Sequence, residues 1–332
     1  MNGNQLGDFH LAGASRNHEL YGVAHLLAQQ HQPRAVLLLG AEAQSLSVAD
    51  LHALATAVLS GRCDLAVPRY SLPPRSGLVN SAILYPISRA LFGAMPRFPL
   101  AIDLALSARM TERMAAAAQR FTAANQPEAL LWPVAEAAVA TYPIEQVDVG
   151  ARTIPQPPGA DLNSVLVQVT GSLFADVDAK AAFWQRVRTA QAARPPVATP
   201  AAPLKEDVTS MLEAFQLAYT NLQEIWSLVL PPQSLLGLKR LSVMPPESFL
   251  MPDSLWARIV YDFLLAYRLR TINRGHLLGA LMPLYLAWVA SHILLTGAGT
   301  PPERHIEAVA VAFETDKPYL VSRWRWPDRF NP

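Results

Sequence analysis

A single cysteine, Cys63, stands in 332 residues. That excludes a disulfide framework and a cysteine-built zinc site, and it agrees with a reducing compartment. Charge is scarce as well. Lys plus Arg number 27 and Asp plus Glu 26, only 16% of the chain, for a formal net charge of +1. So even a balance argues against a nucleic-acid partner and against a polybasic membrane anchor. There is no phosphate loop, GxGxxG, GxSxG or HExxH, and the eight histidines are scattered rather than paired at metal spacing. The opening stretch, Met1 to Gly13, lacks the charged-then-apolar layout of a signal peptide. A cytoplasmic chain is the expectation.

What is abundant is apolar surface, 51% of residues, which rules out a disordered chain and, at this length, suggests two domains. The first half alternates. Arg34 to Leu39, ending at Gly40, reads as a buried strand; Asp64 to Val67, closed by Pro68, as a second; and Ile144 to Val149, closed by Gly150, as a third. Helical spacing covers 17–30, 48–59, 80–92 and 109–124. Strands alternating with helices imply an α/β layer with a mostly parallel sheet, assigned to 1–158. Connecting helices and a proline- and alanine-rich linker fill 159–203, and a helical domain occupies 204–332. Its helices are expected at 205–230, 253–270, 275–295 and 301–313, with Asp253 as an N-cap, Arg258 and Asp262 paired at i, i+4, and Leu255, Ile259, Phe263 and Tyr267 as the buried stripe. Leu277 to Thr296 carries no Asp, Glu, Lys or Arg and is long enough to cross a bilayer. Its Pro283, Tyr285, Ser291 and His292 favour a helix buried in a helical domain. The apolar content also leaves open a peripheral contact with a membrane, and nothing excludes a homo-oligomer.

Four polar groups invite a functional reading. Glu42 follows the first strand end, where ligands bind in open α/β sheets and an acid can hold a divalent cation. A solvated loop glutamate is the simpler account of that residue alone. Arg69, Arg75 and Asn80 lie just past the second strand and suit a phosphate or carboxylate; a turn and a helix cap account for them equally. Asp103 sits in an apolar segment, where a carboxylate needs a partner or a task. Arg97 is a candidate partner in a structural ion pair. Asn273, Arg274 and His276, with Tyr261, Asp262 and Tyr267, flank the apolar helix and either line a cleft or cement helices.

The run from Asp64 to Tyr70, then Asn80 to Gly93, then Arg97 to Ser107, resembles a bacterial branch of GT-A glycosyltransferases related to mannosylglycerate synthase and glucosyl-3-phosphoglycerate synthase. Leu255 to Ala290, Gln146 to Gly150 and Val165 to Phe174 resemble the same branch, in order along most of the chain. The resemblance implies a GT-A-like (Rossmann-like) domain, a nucleotide-sugar donor, a small or anionic acceptor, and Mg or Mn held by a D-x-D motif. That motif falls on Gly40-Ala41-Glu42, so its first acid is lost and Glu42 is the metal candidate. The histidine that would complete the metal shell falls on Ile154. The acceptor segment is Ala101-Ile102-Asp103-Leu104, which keeps the carboxylate and replaces both glycines. The opening strand and base-binding loops are not evident before Asn17, so the domain is expected to be short at its start.

Two functions follow. One is hexosyl transfer, with Asp103 as the catalytic group at the acceptor hydroxyl, Arg69, Arg75, Asn80 and Arg97 binding donor and acceptor, and Glu42 on the metal. The other is a degenerate homologue that keeps the fold, has lost the chemistry, and serves as a binding or scaffold partner.

Overall fold

A computed structural model describes residues 18–41, 43–73, 75–126, 129–152, 161–187 and 207–327. Glu42, Ile154, the residues before Asn17 and the linker at 190–203 lie outside them. The chain divides into two compact units. One is Met1–Asn80 with Leu91–Arg188; the other is Ser81–Ala90 with Thr189–Pro332.

The first unit is α/β. In chain order it holds α1 (His18–His31), β1 (Val36–Leu38), α2 (Val48–Leu59) and β2 (Leu65–Ser71). The chain then passes through a π-helical turn, Asn80–Leu84, and α3 (Tyr85–Phe92), of which Ser81–Ala90 belong to the second unit; the first unit resumes with β3 (Leu104–Leu106), α4 (Ala108–Ala123), α5 (Pro133–Val139), β4 (Ile144–Ala151), α6 (Leu162–Ala179) and α7 (Ala181–Trp184). Local chemistry sets several of these boundaries. Ser47 and Asp50 close a capping box over α2, and Ser107 and Asp161 cap α4 and α6 through their side chains.

The sheet corrects the expectation of a mostly parallel one. Its order is β1-β3-β2-β4, and only β2 and β4 pair in parallel; β3 is antiparallel to both of its neighbours. β1, β2 and β4 therefore do run in one direction, but β3 is wedged between the first two. It escapes a reading by pattern because it is three fully buried residues in an already apolar stretch. β2 also continues past Pro68 to Ser71. β3 pairs with β2 only at Leu65 and Ala66, so Pro68 stands where one side of β2 has no neighbour in the ladder. The opposed strand has a functional consequence: the start of β3 arrives at the same edge as the ends of β1, β2 and β4.

The second unit is helical: α8 (Thr209–Ser227), α9 (Pro232–Ser242), α10 (Asp253–Leu269), α11 (Arg274–Gly297) and α12 (Pro302–Arg325), with Ser81–Ala90. α11 has the length and composition to cross a membrane, yet most of it is buried. Trp226 donates to the Ala280 carbonyl and Ser291 accepts from the Met251 N–H. It is packed as a core helix of this unit. The cap of α10 is Pro252 rather than Asp253, whose carboxylate instead meets His305 at 3.1 Å. The expected Arg258–Asp262 pair is replaced by two pairs to α12, Arg258 with Asp316 and Asp262 with Arg323. Burial explains the exchange. α10 is buried from Ile259 to Tyr267 and Leu255 only in part, so Asp262 faces a neighbouring helix rather than solvent. α12 runs twelve residues beyond the expected Phe313, through Pro318, held along α10 by these pairs.

Candidate functional site

β1, β2 and β4 end on one edge, and β3 begins there. Asp103, one residue before β3, is 0% exposed. Its Oδ1 accepts from the Gly40 N–H at 2.9 Å, at the end of β1. Its Oδ2 accepts from the Tyr70 hydroxyl at 2.9 Å, near the end of β2. Arg152, one residue past β4, forks onto the same carboxylate, Nε to Oδ2 at 2.9 Å and Nη2 to Oδ1 at 3.2 Å. The guanidinium reaches on to the Ala41 carbonyl at 2.7 Å and to Ser45 Oγ at 3.1 Å. Both partners of this ion pair have side chains with 0% exposure. The Tyr70 hydroxyl also accepts from the Asp103 N–H at 3.2 Å. Burial, and then the negative charge of Asp103, push its pKa well above the usual value, so it serves as a neutral donor.

The other candidates are distributed around this lock. Asn80 donates to the Arg97 carbonyl at 2.8 Å, and its Oδ1 is buried without a hydrogen-bond partner among the described residues. The Arg97 N–H donates to Gln146 Oε1 at 2.5 Å, and its guanidinium lies 5.3 Å from the Phe98 ring, which packs on Tyr70. Arg69 alternates with Tyr70 along β2 and so leaves on the other face of the sheet. There it forks onto Asp148 at 2.5 and 2.7 Å, Arg69 half-buried and Asp148 exposed. Arg75 stands in the turn after β2, and burial lowers its pKa. The structure thus joins Asp103 to Tyr70 and Gly40, sets Asn80 and Arg97 beside them, and sends Arg69 away.

The cation that meets Asp103 is Arg152, not Arg97. The available signal is positional: Arg152 follows the third strand, and a buried carboxylate at one strand edge demands a cation from the same edge. The Asn273 group does the cementing work. Asn273 caps α11 through the Gly275 and His276 N–H groups, and Arg274 donates to the Tyr267 carbonyl while lying 4.0 Å over that ring. The Tyr261 hydroxyl donates to the Phe313 carbonyl. Asp262, bound by Tyr319 and Arg323, has its carboxyl pushed up to about 7 by burial.

Among the described residues, which do not include Glu42, this edge offers no open carboxylate to a divalent ion. The Asp103 oxygens hold four donors, two of them on a guanidinium. Gly40 contributes no ligand, and a Cβ there would sit 3.1 Å from Ile102 Cβ. Among the described residues no group of three or more His, Cys, Asp or Glu side chains is placed to hold a metal. A cleft of about 400 Å³ does open beside the start of β4, at the opposite edge, lined by Phe92, Gly93, Met95, Tyr142, Ile144 and Gln146. It presents no charged side chain, so it is unsuited to a diphosphate. No protein-family model matches the chain, and no curated protein matches it.

Proposed function

We propose that this chain is a glycosyltransferase-like protein that has exchanged transfer chemistry for a binding or scaffold role. The observation that carries the reading is the sealed Asp103–Arg152 pair. A general base must bring a lone pair within about 2.6–3.2 Å of the hydroxyl it deprotonates. Asp103 has none turned outward, and freeing one means parting a buried ion pair, which costs about 3–5 kcal/mol. The same guanidinium supplies a fixed single positive charge in place of a divalent ion, and Asp103, Ala41 and Ser45 already consume it. Little is left to neutralise a departing diphosphate, the largest electrostatic demand of hexosyl transfer. Ala101 and Ile102 add side chains where an acceptor would approach.

The test is release of nucleoside diphosphate from UDP- and GDP-hexoses, with Mg²⁺ or Mn²⁺ and a panel of small anionic acceptors. No release above the protein-free rate is expected. Turnover that Asp103→Asn abolishes overturns the proposal and restores hexosyl transfer with Asp103 as the base.

A further inference from the structure

The helical unit carries a basic end that the strand-edge site does not use. α10 and α12 run parallel, since Asp253 meets His305, Arg258 meets Asp316, and Arg268 meets Trp324. Their C-termini therefore emerge together, joined by the first turn of α11. Residues 268–276 and 320–327 hold five arginines, Arg268, Arg270, Arg274, Arg323 and Arg325, and one histidine, His276, with no Asp or Glu. Asp328 and Arg329, which follow, cancel in formal charge. Asp262, buried, offsets Arg323. In a chain of net charge +1 this is a strong segregation of one sign.

Helix dipoles account for only part of it. Cations suit the C-termini of α10 and α12, but Arg274 opens α11, where the dipole favours an anion. Two of the guanidiniums are held flat on rings, Arg268 at 4.2 Å over Trp324 and Arg274 at 4.0 Å over Tyr267, so they are ordered before any partner arrives. Among these charges stand two apolar side chains turned to solvent, Trp326 at 60% and Leu269 at 46% exposure. Arginines ringed round an exposed Trp and Leu match the boundary layer of a bilayer, where tryptophan and aliphatic groups enter the headgroups and cations meet anionic lipid. A nucleic acid would use the charges and leave Leu269 in water.

We propose that this end of the helical unit docks on an anionic lipid surface, with Leu269 and Trp326 inserted among the headgroups. The reading is independent of what the strand edge does. It is tested with the full chain by co-sedimentation with vesicles of phosphatidylcholine alone or with about a third phosphatidylserine. Binding only to the phosphatidylserine vesicles, weakening steeply with added salt, is expected. At about fivefold per basic residue, Arg270→Gln/Arg274→Gln/Arg325→Gln should weaken partitioning by about a hundredfold. Leu269→Ser/Trp326→Ser, both on exposed positions, should weaken it at constant salt dependence. Equal binding to neutral vesicles, no binding to either, or preferential binding of a single-stranded oligonucleotide in a parallel anisotropy titration each overturns the proposal.

Discussion

Replacing Arg152 by Met tests the lock at its strongest point. The substitution keeps a long side chain but strips two donors from Asp103 and leaves its carboxylate at 0% exposure with the Gly40 N–H and the Tyr70 hydroxyl. Parting a buried pair by removing one partner costs about 3–5 kcal/mol. The two remaining donors, each a bond to a charged group, offset part of the loss, so about 3 kcal/mol is expected. Asp103→Leu strips the guanidinium of its buried carboxylate while its bonds to Ala41 and Ser45 remain, and should cost as much or more. The double variant removes both charges at once and should fall within about 1 kcal/mol of the unsubstituted chain. Urea unfolding followed by circular dichroism reads this as a drop in midpoint of about 1–2 M for each single variant and near recovery for the double. Single variants within about 1 kcal/mol of the parent, or a double variant whose loss is the sum of the two, would refute the reasoning.

Three further outcomes follow from the same geometry. Gly40→Asp, which rebuilds the first acid of the D-x-D motif on paper, should destabilise the chain by about 2 kcal/mol or more and confer no Mn²⁺ binding by calorimetry, because its Cβ meets Ile102 at 3.1 Å and its charge joins a residue whose N–H already binds the Asp103 carboxylate. Arg89, 0% exposed, bonds Glu307 at 2.5 Å and Glu314 at 2.9 and 3.1 Å; Arg89→Met should lower the melting temperature by roughly 10 °C. Arg89→Lys should recover less than half of that, since a compact ammonium cannot reproduce the planar two-nitrogen fork onto Glu314 while also reaching Glu307. Burial pushes the Asp176 carboxyl up to about 6 against the pull of Lys180. Between 3.8 and about 6 the folded chain then holds a proton that the unfolded chain has lost, so this contribution to stability is present in acid and fades as pH rises through 6. Asp176→Asn should flatten the slope of unfolding free energy against pH in that window.

Much of the fold was legible because its signals are local. α2 spans Val48–Leu59, the run that helical spacing marks, and Ser47 with Asp50 is a capping box readable by eye. β1 and β4 lie where the sequence places strands, β1 stopping two residues short of Gly40 and β4 running through Gly150 to Ala151. What stayed hidden depends on partners far along the chain. Nothing inside Leu104–Leu106 says that it runs antiparallel between β1 and β2. Arg97 is close to Asp103 in sequence and Arg152 is not, and proximity along the chain misleads once strands converge. The Arg258–Asp262 spacing is correct for an exposed helix face and fails because α12 covers that face. Of the site, Asp103 was legible as a carboxylate in need of a partner; the closure around it was not, because closure belongs to four strand ends together.

The most direct measurement is a calorimetric titration of the chain with UDP and GDP, repeated with Mn²⁺ and with EDTA. If Arg152 has taken the place of a metal at the strand edge, Mn²⁺ alone gives no heat and leaves any nucleotide affinity unchanged. A stoichiometric Mn²⁺ site that tightens nucleotide binding and disappears in Glu42→Gln would contradict that claim.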